Sequence, residues 1–249
     1  MNDFNPDDWD LHWKQNESSA SLNPAQVYRH KLVARLVQDR KASSLVDLGC
    51  GQGDFLQHLN STNRDMTLRG IELSRTGTEI TKSKVSRAEV VQVDLLAQEF
   101  NPSILSQSEV GTCIEVLEHL DDASKFLQRA SQLIQPGGIL VVTVPSGPRT
   151  AFDIHIGHRR HFDKKSLKDL LENNGFTNVT VYRYGWPFFN LYRTMVLIRG
   201  KRLIEDVEEG SVTDSVLTRL LAKFFSIAFK SNIRSRLVGW QLIATCTVK

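Results

Sequence analysis

Six short β-branched runs, SSLVDLG, MTLRGIEL, AEVVQVDL, EVGTCIEV, GILVVTVP and TNVTVYRYG, succeed one another between residues 43 and 185, with amphipathic segments near 53–60, 74–84, 122–134 and 164–174 between them. Strands that alternate with helices at this spacing build βα units around a mainly parallel sheet, so an α/β protein is expected. Ahead of them, NPAQVYRHKLVARLVQD repeats apolar residues at helical spacing and should lie against the sheet before its first strand. GWQLIATCTVK reads as a last strand. The expected layout is a single domain over 1–249: a flap and helix over 1–42, a core over 43–185, a helical insertion over 186–238 and the last strand over 239–249.

Within the insertion, FFNLYRTMVLIRGKRL and SVLTRLLAKFFSIAFKSNIRSR both look helical. The second sets Arg219, Lys223, Lys230, Arg234 and Arg236, with no acid among them, opposite Leu217, Leu220, Leu221, Phe224, Ile227 and Phe229. Such a stripe suits a helical layer over the sheet, and it also suits a lid over an apolar substrate or a peripheral membrane contact through 186–236.

Charge narrows the partners. Lys+Arg 31 against Asp+Glu 28 leaves a net +3, too small and too evenly spread to make nucleic acid the default partner. Cys50, Cys113 and Cys246 form no CxxC pair and no even framework, as expected of reduced thiols in a cytoplasmic protein. The acidic, polar beginning is unlike a secretory leader, and WPFFNLYRTMVLI, broken by Arg193, is too short to span a bilayer.

Chemistry concentrates in SLVDLGCGQGDF, residues 44–55. A strand running through Gly-x-Gly-x-Gly into a helix lets a ligand touch bare backbone at a helix N-terminus. Dinucleotides and S-adenosylmethionine both use such a corner. The dinucleotide fingerprint wants its third glycine at residue 54, which here is Asp54, a charge that repels pyrophosphate. A sulfonium carrying an ammonium group instead welcomes Asp47. Glu72 ends the next strand 19 residues after Gly53, a spacing that suits an acceptor of ribose hydroxyls, and Asp94 ends the third strand, where it can meet an adenine amino group.

In order, VDLGCGQG, GIELS, VQVDLL, CIEVLEHLDD and LIQPGGILVVTVPS over residues 43–146 resemble the class I S-adenosylmethionine-dependent methyltransferases, with motifs most like the ubiquinone-biosynthesis O-methyltransferase group. That resemblance implies a Rossmann-like three-layer sandwich, with a seven-stranded sheet whose last strand is antiparallel. It also implies that Asp47, Gly49 and Gly51 line the methionine moiety, Glu72 the ribose, Asp94 and Leu95 the adenine, and Ile114 with Glu115 the far wall, with Cys50 and Leu73 counted among the cofactor-binding residues. LNPAQVYRHK is similar to the segment in which that group places a basic residue on the cofactor carboxylate. Gln26 stands at the matching position, with Arg29 three residues on, and Arg29 is the one counted among the expected cofactor-binding residues.

Methyl transfer asks the protein to align a nucleophile and exclude water, and a hydroxyl nucleophile also needs a base or metal. Glu115, Glu118 and His119 stand at i, i+3 and i+4, on one face if that stretch is helical. They can act as acid and base or hold a divalent ion. No metal ligand is assigned, and His119 and Glu115 are taken as catalytic. In DIHIGHRRHFD, His158 is preferred over His155 and His161 as a third catalytic residue. Trp9 and Trp13 either pack the leading helix or belong to a flap. Trp186, Phe188, Phe189 and Tyr192 suit an aromatic or lipidic acceptor. The expected activity is O-methylation of an aromatic, quinone-like, polyketide or saccharide small molecule. An RNA methyltransferase, a cofactor-binding protein without catalysis and, more remotely, a dinucleotide oxidoreductase are the alternatives.

Overall fold

A computed structural model describes residues 7–20, 23–208, 216–235 and 238–249. The first helices are α1 (Trp9–Ala20) and α2 (Pro24–Gln38). α2 starts where Asn23 caps the Ala25 N–H and Pro24 presets the first turn. The core then alternates as the pattern requires: β1 (Ser44–Leu48), α3 (Asp54–Thr62), β2 (Thr67–Glu72), α4 (Arg75–Lys84), β3 (Glu89–Gln92), β4 (Ser108–Ile114), α5 (Ala123–Ser131) and β5 (Ile134–Pro145). Next come α6 (Ala151–His155), α7 (Lys164–Asn173), β6 (Phe176–Trp186), α8 (Phe188–Glu208), α9 (Val216–Ala228), β7 (Ile233–Ser235) and β8 (Gln241–Val248).

The sheet runs β3-β2-β1-β4-β5-β8-β6-β7. β1 to β5 are parallel, and β8 inserts antiparallel between β5 and β6, as the sequence led one to expect of the last strand. The three-residue β7 at the free edge of β6 makes an eighth strand, where seven were expected. It takes up the end of a segment that reads as helical, because Asn232 accepts the Phe188 and Phe189 N–H groups and turns the chain back along β6.

Every β1 residue is buried, so the strand is covered on both faces. Leu45 packs with Val33 and Val37 of α2 and with Leu56 and Leu59 of α3, while Val46 and Leu48 pack with Leu127 of α5 and with Leu167 and Leu171 of α7. A third cluster joins Ala25 of α2 to Phe189 of α8 and to Phe225 and Phe229. Burying each of these rings is worth about 1.5–3 kcal/mol, which fastens the α8–α9 segment to the body. The outcome for α9 differs from the stripe seen in the sequence: Phe225 and Phe229 face inward, whereas Leu220, Phe224 and Ile227 face solvent. Arg236 lies outside the described residues, as do the side chains of Leu217, Arg219, Leu221 and Arg234. Among the described residues no helix is long and apolar enough to cross a membrane.

Candidate active site

The carboxyl ends of β1, β2 and β4 meet at the glycine turn. Gly49 and Gly51 have φ of +79° and +56°, which side chains resist, and a Cβ on Gly51 would lie 2.6 Å from Trp13 Cζ2. The turn is stapled to β2: the Gly49 and Cys50 N–H groups donate to the Ile71 carbonyl at 2.8 and 2.9 Å. The Gly51 N–H donates to Glu72 Oε2 at 2.8 Å, and the Ser74 N–H donates to Glu72 Oε1 at 3.0 Å. Because these donors serve β2 and Glu72, the corner offers acceptors instead of the N–H cup that a pyrophosphate requires. Asp54, first in α3, already occupies that helix's positive end and accepts from Lys84, Gln26 and Gln52.

Asp47 is 2% exposed and accepts the Thr112 hydroxyl at 2.7 Å. Burial, against the Thr112 hydrogen bond and aided by the nearby Glu72 charge, pushes its pKa up to about 7. Burial also raises Glu72, against the hydrogen bonds it accepts. Two adjacent carboxyls shut away from water fit a cationic ligand that also brings hydroxyl donors. A sulfonium cofactor with a ribose meets both needs.

The other cofactor candidates lie around this notch. The Cys50 thiol turns toward Gly70 in the core and is pushed well above its usual pKa by burial, so Cys50 can contribute only backbone. Leu73 stands half-exposed at the rim. Asp94 is exposed and spends one oxygen on the Leu96 N–H at 2.6 Å, while the Leu95 side chain belongs to the core. Ile114 is partly buried behind the site.

Glu115, the residue after β4, has φ +55°, and Leu117–His119 form a single 3-10 turn. The stretch is therefore not an α-helix, and the conditional i, i+3, i+4 face does not form. Glu115 accepts from Thr143 Oγ1 (2.9 Å) and Gln241 Nε2 (2.8 Å) and lies 3.6 Å from Arg29 Nε. Glu118 turns the other way. Its carboxyl is wholly buried, neither oxygen has a hydrogen-bond partner, and burial and the Glu115 charge drive its pKa well above the usual value. Ligating atoms of Glu118, His119 and His158 lie within 4.8 Å of one another.

His158 stands at the hub of this second half-site. His161 Nδ1 is 3.1 Å from the Gly147 carbonyl, so it carries the proton and leaves Nε2 as an acceptor. His158 Nδ1, 3.3 Å from that Nε2, then donates to it and keeps its own Nε2 lone pair. Burial and neighbouring cations lower His158 to about 2 and His119 to about 4, and burial lowers His161, so all three rings are neutral near pH 7. Beneath them lies a pair that the sequence reading missed. Asp153, wholly buried, caps α6 in a capping box with Thr150 and accepts both its charged hydrogen bonds from Arg193 of α8. Two signals were available: TAFD has the spacing of a helix start, and a lone arginine in an apolar stretch calls for an acid.

α1 crosses both half-sites. Asp10 accepts from Ser74 Oγ and the Thr76 N–H, each at 2.7 Å, the Trp13 ring lies on Gly51 and Gly77, and the Trp9 ring stands edge-on 4.9 Å from His119. Asp7 accepts from Arg159, whose Nε donates to the His119 carbonyl. Of the expected aromatic wall, Phe189 and Tyr192 pack with Phe225 and Phe229, and Trp186 faces outward. Burial raises the Tyr192 pKa, against the lowering effect of Arg29 and Arg193.

A family model for a methyltransferase domain matches residues 24–181. The chain is 25% identical over 201 residues to a probable S-adenosylmethionine-dependent methyltransferase of Mycobacterium tuberculosis, covering 78% of this chain and 67% of that one. It is 31% identical over 108 residues to a ubiquinone biosynthesis O-methyltransferase of Saccharophagus degradans, covering 42% of this chain and 45% of the relative, less than half its length. A putative sarcosine dimethylglycine methyltransferase from Galdieria sulphuraria superposes with a TM-score of 0.62 at 11% identity, over 97% of this chain and 98% of that one, a likeness of fold.

Proposed function

The chain belongs to the S-adenosylmethionine-dependent methyltransferases, and on that footing we propose that it methylates a hydroxyl oxygen of a small-molecule acceptor. The cofactor supplies a methyl group already activated on a sulfonium. What remains is positioning, desolvation and removal of one proton.

Asp47 and the Gly49–Gly51 turn hold the amino-acid end, Glu72 the ribose with Leu73 at its rim, Asp94 and the backbone at Leu95 the adenine, and Arg29 the carboxylate. Ile114 and Glu115 close the far wall. The acceptor hydroxyl meets His158 Nε2, which takes its proton as the oxygen gains the methyl group, and His119 lies beside it. The observation that carries this reading is the hydrogen-bond chain from Gly147 through His161 to His158, which leaves a neutral imidazole with its lone pair beside an unpartnered carboxyl.

Glu118, His119 and His158 also fit a divalent ion, because a buried carboxyl without partners and two neutral imidazoles form a ready donor set. Held there, the ion would acidify an acceptor hydroxyl. The test is transfer of isotopically labelled methyl to panels of hydroxyl and amine acceptors, before and after chelation, with wild type and His158→Ala. Label on oxygen, lost in the variant, is expected. Label on nitrogen alone, or undiminished transfer by the variant, overturns the reading.

A further inference from the structure

Among the described residues of α9 and the turn after it, apolar side chains lie on two faces, one buried and one exposed. Phe225 and Phe229 turn inward, while Leu220, Phe224 and Ile227, at i, i+4 and i+7, are 58%, 53% and 59% exposed. Beyond α9 the pattern continues at the sheet edge, where Trp186 of β6 and Ile233 of β7 are register partners and both are exposed. Leu191 and Ile198 of α8 are exposed as well. Isolated apolar residues on a surface need no explanation, but a stripe along one helix that runs on into an edge strand does.

Charge identifies the occupant. From Val216 to Arg236 the sequence holds Arg219, Lys223, Lys230, Arg234 and Arg236 and no acid. Lys223 is exposed within the apolar stripe itself, three residues from Leu220 and four from Ile227, and Lys230 is exposed one further turn pair along. An apolar face crossed by lysines that can extend their amines past it is poorly suited to a dry protein interface. It is well suited to the boundary between acyl chains and anionic headgroups. We propose that α9, with the Trp186–Ile233 edge, rests on an anionic lipid bilayer. The attachment is to the surface, since no described helix can span a bilayer. α8 connects this face to the reaction site, because it carries Arg193 onto Asp153 while Leu191 and Ile198 point outward. A lipid-dissolved acceptor would thus meet the site from the side on which the protein sits.

Flotation of the full chain with vesicles, without cofactor or acceptor, tests this independently of the methylation reading. Phosphatidylcholine vesicles are compared with phosphatidylcholine–phosphatidylglycerol vesicles at low and high salt. Binding to the anionic vesicles is expected, weakened about tenfold or more by high salt, by Lys223→Glu with Lys230→Glu, and by Leu220→Ser with Phe224→Ser and Ile227→Ser. A second measurement uses Ile227→Cys labelled with an environment-sensitive dye, selective because Cys50, Cys113 and Cys246 are buried. Its emission should shift to the blue with anionic vesicles only. Absence of binding and of the shift, binding equal for neutral and anionic vesicles, or a dimer in sedimentation that the serine variant disperses would each overturn the proposal, the last by assigning the face to a second copy of the chain.

Discussion

Arg193 donates to both carboxylate oxygens of Asp153, at 2.9 and 2.8 Å, reaching from α8 onto the start of α6. The acid is completely buried and the guanidinium nearly so. Breaking such a pair leaves a charge without compensation, at a cost of about 3–5 kcal/mol. Arg193→Met should lower the urea midpoint accordingly, and adding Asp153→Asn should recover part of the loss. An unchanged midpoint in the single variant would mean that the pair carries no stability.

His161 should act through His158. Replacing it with Phe removes the acceptor that fixes the His158 tautomer, so kcat should fall about tenfold or more while the cofactor Kd stays put. Gln, which can still accept that proton, should restore part of the rate. A loss confined to KM would assign His161 to acceptor binding.

Asp47 should make cofactor binding release a proton. Its folded pKa of about 7 lies above the usual value, and a cationic ligand favours the ionised form, so affinity should rise with pH through about 7 and level off above it. Below that point the loss approaches tenfold per pH unit. Calorimetry in buffers of different ionisation enthalpy reads the proton directly, and Asp47→Asn should abolish the buffer dependence.

Trp13 lies where a Cβ on Gly51 would fall, so a cofactor seated against Gly51, as proposed, should disturb the indole. In a chain with Trp9, Trp186 and Trp240 changed to Phe, emission should change saturably on titration with S-adenosylhomocysteine. Gly51→Ala, strained at φ +56°, should bind about tenfold or more weakly. Silent emission alongside calorimetric binding would place the indole clear of the ligand.

His30, whose ring lies 5.5 Å from that of Phe55, is lowered by burial to about 3. As pH drops below 6.5 the unfolded chain takes up a proton that the folded chain refuses, so stability tied to this group is present above 6.5 and is lost on acidification. The gap in unfolding free energy between wild type and His30→Gln should therefore shift toward the variant by up to about 1.4 kcal/mol per pH unit. A gap that does not vary between pH 7.5 and 5 would show His30 to be freely protonated.

Local pattern made much of this molecule readable in advance. The strands, the glycine turn and the acids Asp47 and Glu72 could be placed because alternation and strand-end position are properties of short windows. Asp94 was placed by the same logic, yet its carboxylate also closes its own turn at Leu96. What escaped was non-local. Glu115 and Glu118 look alike in EVLEH, yet Glu115 lies against Arg29 while Glu118 gathers with His119 and His158, after a left-handed residue that no short pattern announces. The orientation of α9 was equally hidden, because a helix with apolar residues on two faces does not announce which of them the body will bury.

α1 has one further consequence. Its acid at residue 10 is clasped to the start of α4, and its flank at residues 7 and 9 is clasped to Arg159 and His119. One short rod thereby touches both halves of the site at once, so its movement should couple them. Turnover should follow a compulsory sequence, the methyl donor boarding first and the spent donor departing last, with the rod's release setting the pace of each cycle.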